Sequence, residues 1–515
     1  MNDARDSAAT RRKIRSVYSA INHDSARKHV SGTALYVDDI PEPAELLHCY
    51  FGASKHAHAK VLSMDLGAVE RYPGVVRVMT AADIPGFNDI SPVHNADEPL
   101  LASDLVQFAG QPLFAVLAES RAIARRAADL AKIEYEELPA ILDIETALAK
   151  KAYVLEPQQM QMGDPKAALE SAPRRLQGTV CTGGQDHFYL EGQVSMALPK
   201  EDGEMLILTS SQHPTEVQHL VARSLGKPMN AVTVEVRRMG GAFGGKETQA
   251  AQWAIMAAVM ADLSGRPVKL RLDRDDDMLS TGKRHDFQIR YDVGFDEDGR
   301  ILGIEFIHAL RCGMSADLSG PIADRAMFHS DNAYYLPNVS ITSYRCKTNT
   351  VSNTAFRGFG GPQGMVGIER VIDAIAMQLG KDPLSVRKIN LYGKHERNIT
   401  PYGMKVSDNV LRALIEDLQI SSGYDPRRRA IEVFNRQSPV IRRGIALTPA
   451  KFGISFTTTF LNQAAALVHV YKDGSIHLNH GGTEMGQGLM IKVAQVVADE
   501  FQVDLDRVLI SATNT

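Results

Sequence analysis

The pattern of apolar and polar positions changes character several times along the chain. After a polar lead, GTALYVDDIP (32–41) ends in an acidic, proline-bearing turn, and residues 45–140 then alternate between strand-like and helix-like spacing. The clearest unit is a strand at 113–117, an amphipathic stretch SRAIARRAADLA (120–131) and a second strand at 132–135, a β-α-β pattern with Ser120 placed to cap the helix. The unit closes at EELPA (136–140), and the proline- and charge-punctuated segment 141–160 predicts a linker. Farther on, apolar runs flank EDG (201–203), EDG (297–299) and KDG (472–474), which is hairpin chemistry. TQAAQWAIMAAVMADL (248–263) is apolar on most sides and ends at Ser264 and Gly265, predicting a buried helix with a glycine stop. A second helix is predicted over 364–380, and the basic DPRRR (425–429) is expected to divide one lobe from a last one beginning near 440. The fold class is therefore mixed α/β.

Length and composition narrow the function. A chain of 515 residues with 44% hydrophobic content implies two to four domains and a large interior. A formal net charge of -4 provides no general field for phosphate backbones or anionic membranes, so neither nucleic acid nor membrane is the expected partner. The apolar stretches are short and interrupted, and the first 24 residues lack the apolar core of a secretory signal, so a cytoplasmic protein is expected. Cys49, Cys181, Cys312 and Cys346 are scattered without C-x-x-C spacing and read as reduced structural thiols, so any iron–sulfur relay must lie elsewhere.

The glycines change the picture most. Three clusters stand out: GGAFGGKE (240–247), RGFGGPQ (357–363) and GGTEMGQG (481–488). Glycine lets backbone approach a ligand closely and take positive φ, and successive N–H groups around a concavity bind anions or oxo groups. Three such loops from distant parts of the chain, each carrying Gln, Arg, Lys or Phe, point to one large, polar, phosphate-bearing cofactor. The first also satisfies G-x-x-x-x-G-K after a strand-like segment, the pattern of nucleotide-hydrolysing P-loops. Glu247 follows, however, where such loops place the Ser or Thr that holds Mg²⁺, and a carboxylate there would face the phosphates.

These loops and the spacing between them resemble the molybdopterin-binding subunit of the xanthine dehydrogenase and xanthine oxidase family over nearly the whole chain. GTALYVDDIP, HAHAK (56–60), DHFYLE (186–191), FHSDNAYYLP (328–337) and the highly specific NTAFRGFGGPQ (353–363) carry the resemblance. It implies a polar lead at 1–20, a small α/β hammerhead-like domain at 21–140, a linker at 141–160, a first molybdopterin-binding lobe at 161–400 and a second, incomplete lobe at 401–515. It also implies oxidative hydroxylation of an N-heterocycle, in which a molybdenum-bound hydroxide attacks an electron-poor ring carbon. Electrons would leave through 2Fe-2S clusters to FAD on a partner, in a hetero-oligomer.

Carried over residue by residue, Gln212 would hydrogen-bond an oxo ligand of molybdenum, Phe243, Gly244, Phe356 and Arg357 would present amides and charge to the cofactor, and Gln487 would hold the pterin. Molybdenum itself would be met through its oxo and sulfido shell by Gln212, Phe243 and Arg357. In the substrate pocket, Glu247 would hydrogen-bond a purine and Arg325 would stabilise negative charge on its ring. Phe359 and Phe456 would hold the ring, with Thr457 beside them. The charged pair favours hypoxanthine or xanthine over an aldehyde. His56, His58, His187 and Glu191 supply no complete ligand set and read as structural. The family's catalytic glutamate, in a Gly-Glu-Pro-Pro context, is not found before Thr515, so the chain is expected to be a truncated form and inactive alone. Other readings are hydroxylation of an aldehyde or another heterocycle, and a non-catalytic module that docks the iron–sulfur/FAD subunit.

Overall fold

The computed structural model describes residues 16–93 and 96–515, so residues 1–15 of the expected polar lead lie outside the described residues. Two sheets organise the molecule. The larger has eight strands in the order Thr513–Asn514, Val232–Val236, Met205–Thr209, Val194–Pro199, Val268–Arg271, Leu47–Ala53, Pro112–Ala118 and Val75–Thr80. At its middle, Leu47–Ala53 pairs in parallel with Val268–Arg271 and antiparallel with Pro112–Ala118. The sheet therefore runs unbroken from the expected hammerhead-like unit into the expected first lobe, each satisfying the other's backbone edge.

Ala250–Ser264 covers this sheet as the predicted buried helix, with Trp253 and its neighbours sequestered and Gly265 ending it in the left-handed conformation at φ 66°. The five-stranded second sheet has the order Tyr153–Met162, Val339–Lys347, Ile301–Gly313, Phe287–Phe295 and Arg174–Thr182. Helix Gly361–Leu379 packs its Ile368, Val371, Ile372 and Ile375 into this sheet's core. It starts three residues before the predicted 364, because Gly360 turns at φ 92° and Pro362 sits in the first turn, where no N–H is needed.

All three predicted turns close antiparallel hairpins, joining Val194–Pro199 to Met205–Thr209, Phe287–Phe295 to Ile301–Gly313, and Ala466–Val470 to Ile476–His480. Other expectations need correction. The β-α-β unit forms as strand Pro112–Ala118, helix Arg121–Ala128 and strand Lys132–Glu137, with Ser120 capping the helix. Its two strands nevertheless lie in different sheets, the second pairing with Ala59–Asp65. The segment 141–160 is not a linker. Asp143 accepts the Thr146 N–H at 2.7 Å and caps helix Ile144–Lys150, after which strand Tyr153–Met162 takes the edge of the second sheet. DPRRR is no divider either, since it lies within helix Tyr424–Gln437. Ile415, Tyr424 and Leu447 join the second sheet's core, so that lobe's packing extends past the expected boundary at 400.

The last part builds a small sheet of Ala466–Val470, Ile476–His480 and Val508–Ile510, with helix Leu489–Phe501 against it. Strand Ala466–Val470 is exposed at every position. Thr513–Asn514 then returns to the edge of the eight-stranded sheet. No helix among the described residues is long and apolar enough to cross a membrane.

Candidate cofactor and active site

The three glycine clusters converge on one cavity of about 1300 Å³, lined among others by Gln212, Gly240, Gly241, Phe243, Gly244, Glu247, Phe356, Arg357, Phe359, Gly486 and Gln487. They are also tied to one another. The Arg357 N–H donates to the Phe243 carbonyl at 2.8 Å, linking the second loop to the first, and the Met239 N–H donates to the Glu484 carbonyl at 2.8 Å, linking the first to the third. Gln212 sits between them. Its side-chain oxygen accepts from the Gly244 N–H at 2.8 Å, and its backbone carbonyl accepts from the Thr483 hydroxyl at 3.5 Å.

The first loop needs its glycines for steric reasons. Phe243 and Gly244 are both left-handed, at φ 58° and φ 101°, and a Cβ on Gly244 would fall 2.5 Å from the Ala355 carbonyl oxygen. A Cβ on Gly245 would meet the His187 ring at 2.6 Å. That ring is neutral, since burial pulls its pKa down to about 4. It lies 2.7 Å from the Ala355 carbonyl and stacks on Phe356 at 4.6 Å.

Three side-chain groups meet the cavity without protein partners among the described residues: the Gln212 amide nitrogen, the exposed guanidinium of Arg357 and the carboxyl of Glu247. Burial, with Glu216 beside it, pushes Glu247 up to about 7, so near neutrality about half of it is a protonated acid that both donates and accepts. The remaining predicted residues, of which Gln487 and Phe359 line the cavity, are engaged within the protein. Gln487 braces its own loop, accepting from the Met485 N–H at 2.7 Å and donating to the Thr483 carbonyl at 2.8 Å. Arg325 is buried and does not line the cavity; it donates to the carbonyls of Gly453 and Ser455, and its charge lies 5.6 Å from the Phe359 ring centre. Phe359 and Phe456 pack against each other at 5.2 Å and 54°, so in this arrangement no ring lies between them. Thr457 donates to the Pro321 carbonyl at 3.3 Å.

Several supporting residues were not assigned roles from sequence. Glu484, inside the third cluster, accepts from the N–H groups of Gly486 at 2.8 Å, Gly488 at 3.1 Å and Met490 at 3.3 Å. Burial opposes its ionisation, but these donors and His23 outweigh it and hold the carboxyl below its usual range. Asp317 accepts from Thr248, Gln249 and Thr354 at 2.8–3.0 Å and so joins the exit of the first loop to the entry of the second. Lys246 points into the core, not the cavity, which removes the P-loop reading.

The donor set fits a phosphate-bearing, oxo-rich group. It offers a free guanidinium, a free amide and, at Gly486 with φ 106°, glycine backbone beyond which a Cβ would meet open space. Fold and site together define a molybdopterin cofactor-binding protein of the hydroxylase type. Residues 148–391 and 417–515 each match a family model described as a molybdopterin cofactor-binding domain, and residues 31–139 match the a/b hammerhead domain of aldehyde oxidase and xanthine dehydrogenase. The chain belongs to that xanthine oxidase family.

It is similar to xanthine dehydrogenase/oxidase of Gallus gallus, 45% identical over 494 residues that make up 96% of this chain and 36% of the relative. It is 44% identical to xanthine dehydrogenase 1 of Arabidopsis thaliana over 97% of this chain and 37% of the relative. The chain thus spans little more than a third of the curated relatives it matches. Among solved structures it is similar to aldehyde oxidoreductase from Desulfovibrio gigas, with TM-score 0.85, 26% identity and coverage of 96% of this chain and 56% of that one. Quinoline 2-oxidoreductase from Pseudomonas putida 86, with TM-score 0.86, 24% identity and coverage of 97% and 66%, shares the fold.

Proposed function

We propose that these residues form the molybdenum-cofactor and substrate-binding part of a xanthine dehydrogenase, oxidising hypoxanthine and xanthine to urate and passing electrons to an iron–sulfur/FAD partner in a hetero-oligomer. The observation that carries the reading is Glu247, an acid on the cavity wall with no hydrogen-bond partner for its carboxyl among the described residues and a pKa raised to about 7. A neutral carboxyl matches the alternating N–H and acceptor edge of a purine, whereas an aldehyde presents a single acceptor.

The bound cofactor supplies the oxygen delivered to the ring and takes up the electrons. Gln212, fixed through its carbonyl oxygen by Gly244, has its amide N–H free to donate to an oxo group, and Arg357 neutralises anionic charge at the cavity. Arg325 acts from behind Phe359, where its buried positive charge favours negative charge building on the substrate ring and anchors the segment bearing Phe456 and Thr457. Such a preorganised charge is worth about 10²–10³ in rate. Replacing it, Arg325→Met, is expected to depress xanthine turnover by about that factor in the holoenzyme while sparing aldehyde turnover. Equal loss on both substrates argues for a purely structural arginine and for the broader hydroxylase reading.

A further inference from the structure

Behind the first glycine loop lies a buried ion pair whose lysine points away from the cavity, while its partner Glu191 also reaches the cavity wall. Lys246 is fully buried, at 0% side-chain exposure. Its ammonium donates to the Glu191 carbonyl at 2.7 Å and the Ser210 hydroxyl at 2.7 Å, and lies 3.4 Å from a Glu191 carboxylate oxygen and 4.6 Å from the Tyr189 ring centre. That same Glu191 oxygen accepts from the Gly240 N–H at 2.7 Å and the Ser210 hydroxyl at 2.7 Å, and the other accepts from the Val37 N–H at 3.3 Å. A Cβ on Gly240 would sit 2.6 Å from the Glu191 Cβ. Both ends of the arch 240–246 are therefore pinned to one residue, Gly240 by the carboxylate and Lys246 by the charge and carbonyl.

Between those pins lie the features that serve the cavity. Phe243 holds a positive φ that is costly for a residue with a side chain, and it persists only if the surroundings over-determine it. Gly244 offers its N–H to Gln212, and the Lys246 carbonyl accepts the Gln212 backbone N–H at 2.8 Å. Glu247 follows directly on Lys246.

We propose that Glu191 and Lys246 are positioning residues for the cofactor, a buried clasp that holds the 240–247 arch so that the Gln212 amide and the Glu247 carboxyl address the cavity. The proposal rests on molybdopterin occupying that cavity. Neither residue touches reacting atoms; their action is through the arch. The hydrogen bonds of Glu191 to Gly240 and of Lys246 to Glu191 and Ser210 fix the two ends of the arch.

The test uses holoenzyme purified from a host that makes the cofactor, with Lys246→Met, Glu191→Gln and the double variant. The readouts are the rate of molybdenum loss on dialysis and the melting temperature of cofactor-depleted protein. Partners one step removed from a metal group commonly change its affinity about 10–100-fold. Each single variant is expected to lose molybdenum faster by about that factor, with the double variant no worse than the worse single, because the two residues act as one unit.

If the variants melt earlier yet hold molybdenum as tightly as a loaded wild type, the pair is an ordinary core ion pair and the proposal is overturned. Independent, additive losses in the double variant overturn it too. If no variant folds, including the near-isosteric Glu191→Gln, the pair is a folding element and the positioning role falls. A wild type without molybdenum overturns the cofactor reading first and the clasp with it, an outcome distinct from the other failures.

Discussion

The first and third glycine loops carry the same sequence signal for different physical reasons. In the first, glycine is there because protein crowds it: a Cβ on Gly240, Gly244 or Gly245 would come within 2.6 Å of Glu191, Ala355 or His187. In the third, Gly481 and Gly486 face open space, and the shape comes from the backbone donors that Glu484 gathers. One loop is moulded against a rigid support and the other is tethered by a buried carboxylate. A glycine-rich stretch thus indicates close approach without saying whether protein or ligand makes it.

This contrast predicts a graded set of effects. The largest is expected for Gly244→Ala, which forces a side chain into φ 101° and onto the Ala355 carbonyl oxygen. The left-handed strain alone costs about 1–2 kcal/mol and the clash adds to it, so molybdenum content should collapse while far-UV circular dichroism stays close to wild type. Retention of normal molybdenum content would mean the first loop is not a moulded support.

Next comes Glu484→Ala, which leaves three N–H groups at the start of helix Leu489–Phe501 unpaired and deprives the first turn of its anion. A loss of about 1–2 kcal/mol is expected in denaturant titration, with the first lobe's hydrogen-exchange protection unchanged. Protection lost equally in both lobes would break the distinction between the loops. The smallest effect belongs to Gly481→Ala, where a methyl meets nothing within 4 Å and φ is not left-handed. Stability and molybdenum content should stay at wild-type levels.

The two loops should also answer oppositely to pH. Glu247 is raised in the folded state, so the stability it contributes is full below the ordinary glutamate range and is lost as pH rises through about 7. Glu484 is lowered, so its contribution is present above that range and lost as pH falls through the depressed value. Purine affinity in the holoenzyme should accordingly fall above about pH 7, and Glu247→Gln should flatten that limb. An unchanged limb in Glu247→Gln would assign the titration to another group.

Much of this was legible in the sequence where local chemistry decides. The EDG and KDG turns, the buried 248–263 helix and the Ser120 cap depend on neighbours a few residues away, and they form as read. The glycine clusters announced the cavity, and Gln212, Glu247, Phe243 and Arg357 all reach it. What escaped depends on distant partners. Spacing shows that 113–117 and 132–135 are strands, but not that they join different sheets. Arg325 turns to carbonyls 128 and 130 residues away, and Lys246, the lysine of a G-x-x-x-x-G-K stretch, turns into the core because Glu191 and Ser210 wait there. Glu191 and Glu484 lay inside quoted motifs, yet nothing in their spacing tells a backbone-gathering carboxylate from a ligand-binding one.

The central claim is that three separated glycine loops build a single molybdopterin site. Its most direct test is molybdenum and pterin measured per mole of protein, in the wild type and in Gly244→Ala, after production in a host that supplies the cofactor. The account predicts near-stoichiometric molybdenum with pterin in the wild type and loss of both in a folded Gly244→Ala protein. A folded wild type with neither, or a Gly244→Ala protein fully loaded with both, would contradict it.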